Sequence, residues 1–164
     1  MSSDVRRWKR LTIFSNRLTP SRDKMGNMTT TGLRGVEPYL YYSDGAAALD
    51  WLTRVFGFRG SVRYLDQTGA VAEAEVMAGS TRVHVAGGCA AQAPAGIELI
   101  VVVDDVDTHR AATAAAGVEV PAPKDRPYAA RTYSVRDPQG YRWTFWQPLP
   151  GDVQLQPGWR EVRT

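Results

Sequence analysis

The stretch GIELIVVVDDVDTHRAATAAAGVEV, residues 96–120, repeats the logic of GVEPYLYYSDGAAALDWLTRVFGF, residues 35–58. Gly35-Val36-Glu37 matches Gly96-Ile97-Glu98 at an offset of 61, and Asp44 matches Asp105 at the same offset. In each copy an apolar run ends in helix-capping residues, the pattern of a strand entering a helix. In the first helix Ala48, Trp51, Leu52, Val55 and Phe56 recur at i, i+3, i+4, i+7 and i+8, one apolar face. Asp44 or Ser43 can cap its start and Gly57 can close it. In the second helix an offset of 60 pairs those positions with Thr108, Ala111, Ala112, Ala115 and Ala116, and Gly57 with Gly117. Two copies are too few for a solenoid, so the halves must pack on each other.

Three strands are predicted after the first helix, near 58–65, 70–78 and 80–86, separated by the turn signals DQTG and AGS. The small-residue linker GGCAAQAPAG spans 87–96. Strands near 118–121, 130–136 and 141–147 end the second half, with the Pro-rich loop PAPKDRPYAA inside it. The expected organisation is an N-terminal arm (1–34), one domain (35–148, with modules 35–87 and 96–148) and a Pro- and Gly-containing tail (149–164). The fold class is α+β, with two tandem β-α-β-β-β modules.

Such a paired module resembles the superfamily of glyoxalases, bleomycin-resistance proteins and extradiol dioxygenases, the vicinal oxygen chelate proteins. The resemblance spans about residues 35–148 and rests on EPYLYYSDGAAALDWLTRVFGF, AEAEVMAG, VVVDDVD, AAAGVEV and DPQGYRWTFW in that order. Pro38-Tyr39-Leu40, Ala74-Glu75 and the Asp-Pro-x-Gly-x-x-Trp-Thr ending look most like its PhnB-like branch. The resemblance implies a concave mixed sheet with helices outside, a cup formed by the two curled sheets. It also implies that metal-dependent relatives place ligands at the first strand and a last strand of each half.

The final ligand of such relatives is typically a Glu four residues after the Gly of the Asp-Pro-x-Gly turn, where this chain has Thr144. A Thr hydroxyl is a poor ligand for a divalent ion beside a carboxylate or imidazole. Both strand starts carry a carboxylate, Glu37 and Glu98, and His84 falls on the last strand of the first half. Two readings stay open. One is a metal-independent protein that holds a small molecule, with no cofactor. The other is a metal-dependent lyase, isomerase or dioxygenase, glyoxalase-like, with Glu37, His84 and Glu98 around a divalent metal.

Side-chain alternation sorts the strands into faces. With Thr144 facing the cup, Arg142 and Trp146 share that face, and Tyr141, Trp143 and Phe145 point to the helix layer. Glu37, Tyr39 and Tyr41 face the cup from the first strand, Glu98, Ile100 and Val102 from the fifth, and Arg82 and His84 from the fourth. Aromatic rings, carboxylates and two arginines suit an aromatic or partly cationic organic ligand. His109 is read as a boundary or surface residue.

The 164 residues suit one domain, and a chain of this size buries roughly 65–70% of its unfolded surface. The lone cysteine, Cys89, excludes an internal disulfide framework, has no nearby base to activate it, and fits a cytoplasmic protein. No apolar run approaches the ~18 residues that span a bilayer, and the N-terminal LTIF is too short for a signal peptide. Residues 1–27 carry seven basic and two acidic side chains, leaving 13 basic and 15 acidic groups elsewhere. This basic arm lacks a groove-reading module, so nucleic acid is the least favoured partner, and the arm reads as a disordered leader or as sequence ahead of a start at Met25 or Met28. By resemblance, the expected assembly is a homodimer.

Overall fold

The computed structural model describes residue 32, residues 34–89, residue 93 and residues 95–162. The expectations for residues 1–31 lie outside the described residues, as does part of the linker. The first module runs β1 (Tyr39–Tyr41), α1 (Gly45–Phe56), β2 (Arg59–Leu65), β3 (Val71–Ala78) and β4 (Thr81–Ala86). The second runs β5 (Glu98–Val102), α2 (Val106–Ala115), β6 (Lys124–Arg126), β7 (Ala130–Arg136) and β8 (Arg142–Pro148). The fold is α+β, and its mixed sheet comes as two four-stranded sheets ordered β1-β4-β3-β2 and β5-β8-β7-β6. The first strand of each module pairs in parallel with the last, and the other pairs are antiparallel.

Two aspartates start the helices alike. Asp44 Oδ1 accepts from Ala47 N at 3.0 Å, and Asp105 Oδ1 accepts from Thr108 N at 2.9 Å, each satisfying a backbone donor that the first helical turn leaves open. Matched caps fix the phase of the second helix, and this corrects the offset of 60. With the offset held at 61, Ala48, Leu52 and Val55 correspond to His109, Thr113 and Ala116. Thr113 is buried and His109 half-buried, whereas Thr108, Ala111, Ala112 and Ala115 are exposed. A second correction concerns the sixth strand. Residues 118–121 form no ladder, and β6 lies at Lys124–Arg126, inside the expected loop. Pro121 and Pro123 lack the N–H that a ladder needs, so pairing with β7 begins only at Lys124.

One core serves both modules. Phe56 at the end of α1 packs edge-on against Trp143 and Phe145 of β8, with ring centroids 5.6 and 4.8 Å apart. Leu49, Leu52, Val76, Val83 and Val85 from the first module join Val106, Tyr133, Trp143 and Phe145 from the second in this buried cluster. Close approach explains Gly87, which ends β4 beside the start of α1. A Cβ there would lie 2.1 Å from the carbonyl oxygen of Val71.

His109 is half-buried at the edge of this core, the boundary position of the sequence reading and not its surface one. Its ring stacks on Phe145 at 4.0 Å. Nε2 donates to the Phe56 carbonyl at 3.2 Å, and Nδ1 lies 2.7 Å from the Tyr133 hydroxyl, which donates to it. Thr113 Oγ1 is 2.9 Å from the same hydroxyl. Burial lowers the pKa of His109, opposed in part by the bond to Phe56. Burial also pushes the Tyr133 hydroxyl up to about 12.

The turn before β8 ties the modules by hydrogen bonds. Asp137 is buried, and its carboxylate accepts from Gln139 N and Tyr141 N, both at 3.0 Å, from Trp143 Nε1 at 3.0 Å, and from the Tyr42 hydroxyl of the first module at 2.7 Å. Tyr141 returns the link, since its hydroxyl lies 3.0 Å from the backbone N of Tyr41, which donates to it.

Two outcomes test this packing. Asp137→Ala strands three buried or half-buried donors and the Tyr42 hydroxyl, and is expected to cost roughly 3–5 kcal/mol in denaturant unfolding. Tyr42→Phe removes one bond and is expected to cost about 1–2 kcal/mol; equal costs would contradict the account. For His109, the folded chain resists protonation while the unfolded chain protonates near its ordinary pKa of about 6.5. Stability present above that pH is therefore lost as pH falls through it. The melting temperature of wild type should drop more steeply between pH 7.5 and 5.5 than that of His109→Gln.

Candidate functional site

Period-two alternation builds the faces opposite the core. On β3, Ala74 and Val76 are buried, which turns Glu73 and Glu75 to the other side. On β8, Trp143 and Phe145 are buried in the core, which turns Arg142, Thr144 and Trp146 away from it. The register then sets two rows across the sheets, Tyr39–His84–Glu75 in the first and Ile100–Thr144–Ser134 in the second.

The first face carries a polar network. Glu37 Oε2 lies 2.8 Å from His84 Nε2 and 3.9 Å from Arg82 Nη1. Glu75 Oε2 is 3.3 Å from Arg82 Nε, without the alignment of a hydrogen bond, and Glu75 Oε1 is 4.0 Å from His84 Nδ1. Tyr39 stacks on His84 with centroids 5.8 Å apart and 17° between planes, and its hydroxyl donates to Glu73 at 3.1 Å. Partial burial, with the Glu73 carboxylate as the next cause, pushes the Tyr39 hydroxyl up to about 12. Tyr41 sits beside it, ring centroids 5.3 Å apart.

The second face repeats the plan with different residues. Glu98 Oε1 lies 3.2 Å from Arg142 Nε and accepts from the Thr144 hydroxyl. Thr144 Oγ1 is 2.7 Å from Ser134 Oγ, which Arg142 Nη2 also reaches at 3.3 Å. Thr144 is buried, whereas Ile100 and Val102 are 57% and 67% exposed. Trp146 is half-buried, and Tyr128 stacks on it at 4.7 Å and 18°.

The structure thus gathers ten of the residues singled out in the sequence into two groups. Glu37, Tyr39, Tyr41, Arg82 and His84 lie on one face. Glu98, Ile100, Arg142, Thr144 and Trp146 lie on the other. Among the described residues no hydrogen bond, ion pair or ring contact joins the groups. Glu37 and His84 are therefore not brought together with Glu98, and no group of three His, Cys, Asp or Glu side chains is placed to hold a metal ion among the described residues. Sequence reasoning missed Glu73 and Glu75 as partners of Tyr39 and Arg82, although their spacing of two in AEAEV marks one strand face. It also missed Thr132, Ser134 and Arg136, which share a face of β7 by the same period. Cys89 donates weakly to the Gly87 carbonyl at 3.5 Å. Among the described residues no helix is long and apolar enough to cross a membrane.

Comparison with known proteins agrees with this architecture. The crystal structure of TioX from Micromonospora sp. ML1 is 34% identical, with a TM-score of 0.60, over 71% of this chain and 99% of that one. TnmS3, an antibiotic binding protein from Streptomyces sp. CB03234, is 24% identical with a TM-score of 0.60, over 73% of this chain and 99% of that one. The fosfomycin resistance protein FosX from Listeria monocytogenes is 14% identical with a TM-score of 0.57, over 70% of this chain and 93% of that one. A comparison with curated proteins gives no match. Residues 27–145 match the Glyoxalase/Bleomycin resistance protein/Dioxygenase superfamily, and with two β-α-β-β-β modules around one core the chain belongs to that superfamily.

Proposed function

We propose that the protein is a metal-independent small-molecule binding protein of the glyoxalase and bleomycin-resistance type, in the PhnB-like branch. The observation that carries this reading is the engagement of both strand-start carboxylates by the chain's own side chains. Glu37 meets His84 and Arg82, and Glu98 meets Arg142 and the Thr144 hydroxyl. A divalent ion would have to displace a charge-assisted contact at each carboxylate and accept a guanidinium as neighbour. Thr144 would offer it only a neutral hydroxyl.

The first face suits an aromatic or partly cationic ligand. Tyr39 and Tyr41 are 43% and 47% exposed and present ring faces for stacking. Glu37, Glu73 and Glu75 supply negative charge beside them. A homodimer accompanies this reading. The exposed Tyr39, Tyr41, Ile100 and Val102 form apolar surface on faces that share no core within the chain, and a second copy would cover them by setting the first-module face of one protomer against the second-module face of its partner. The lone Cys89 suits a cytoplasmic setting. Some proteins of this fold are described as antibiotic-binding or antibiotic-resistance proteins, which supports a fold able to hold small molecules.

The second reading is a metal-dependent lyase, isomerase or dioxygenase that would use Glu37, His84 and Glu98. Thermal-shift screening with aromatic amines separates the two. We expect a stabilising compound that is recovered chemically unchanged and binds equally after EDTA treatment. Tyr39→Ala should weaken it about five- to tenfold, near 1–1.4 kcal/mol, by loss of a stacking platform. Conversion of the compound, abolished by EDTA, would establish the second reading in its place.

A further inference from the structure

The second module carries an open, shallow cavity of about 310 Å³ on the Arg142 side of its sheet, small for a ligand pocket. Six of the residues around it decide its chemistry: Lys124, Arg126, Thr132, Ser134, Arg136 and Arg142. Four are cationic. They come from three strands, and the register brings them to one place, with Lys124 opposite Thr132 and Arg136 opposite Arg142. Asp125, between Lys124 and Arg126, is held by Arg131, which also binds Asp107 of α2. Neither Asp125 nor Arg131 lines the cavity. Glu98, at 3.2 Å from Arg142 Nε, is the one carboxylate that contacts these four cations among the described residues.

The donors are only partly used. Arg126 donates Nε to Thr132 Oγ1 at 2.9 Å, and Arg136 donates Nη1 to the Gly140 carbonyl at 2.7 Å. A guanidinium has five N–H groups in a planar fork, so each arginine keeps donors after these bonds. The Lys124 ammonium makes no hydrogen bond or ion pair among the described residues. Thr132 is buried and fixes Arg126, so part of the wall is set before any ligand arrives.

We infer that this cavity is an oxyanion subsite, and that the ligand carries a doubly charged group of the phosphate-monoester kind. Four cations against one carboxylate leave an excess that a dianion neutralises better than a monocarboxylate does. Arginine forks match the spacing of oxygens on such a group, and Ser134 adds a hydroxyl. The inference deepens the binding-protein reading by naming one group of the ligand. It rests on that reading for the ligand's organic part alone, since the anion site lies within one sheet of one chain.

Titration calorimetry of the full chain with phenyl phosphate and with inorganic phosphate tests it, with phenylacetate as the monoanionic comparison. Both phosphates should bind, phenylacetate at least tenfold more weakly, and affinity should fall as salt is raised. Lys124→Ala and Arg136→Ala, both at exposed positions, should each weaken phosphate about three- to tenfold. Arg63→Ala, on the other sheet and paired with Asp50, should leave it unchanged. No phosphate binding by wild type, or equal binding by Lys124→Ala, Arg136→Ala and wild type, would overturn the subsite. Phosphate binding with these losses, alongside failure of every aromatic amine to bind, would sustain the subsite and count against the first-face reading alone.

Discussion

The buried carboxylate of Asp137 is the interaction on which the rest of the structure depends. A carboxyl group in a core is tolerable only when its oxygens are satisfied. Here two backbone donors close the Asp-Pro-x-Gly turn, Trp143 locks the following strand, and Tyr42 reaches across from the first module. Gly140 completes the turn with φ of 100°, a left-handed value that favours glycine. With the turn fixed, β8 enters with Trp143 and Phe145 toward α1, and Arg142 and Thr144 are turned to the opposite side. The phase of the possible site therefore follows from a core interaction.

That arrangement leaves each sheet with a polar outer face built to the same plan. A glutamate at or just before the first strand meets an arginine of the last strand, and two residues beyond that arginine stands His84 in one module and Thr144 in the other. Both strand starts keep a carboxylate, and each is satisfied by side chains of the protein itself. The two faces have diverged in charge. Carboxylates dominate the network around Tyr39, and cations dominate the cavity around Arg136.

Much of this was legible in the sequence where one local rule decides the outcome. The limits of α1 followed from its apolar period, Asp44 and Gly57, and the inward side of β8 followed from alternation. The second helix was harder because its inward side is chemically ambiguous. Its alanines look more apolar than His109 and Thr113, yet the polar pair is turned inward, where Tyr133, Phe56 and Val55 satisfy it. Only the shared cap register would have revealed this. The sixth strand was misplaced because Val118 and Val120 look like a strand, although they pack on the core from an extended segment that proline keeps out of the ladder. Which arginine would meet which carboxylate depends on cross-strand register, which a single strand's pattern does not encode.

The central claim we propose is that the chain's own side chains, not a metal, satisfy the carboxylates at the two strand starts. Elemental analysis of protein purified without chelator tests it most directly. The account predicts well under one equivalent of zinc, nickel, iron and manganese. One equivalent of any of these, lost in the His84→Ala variant, would contradict it.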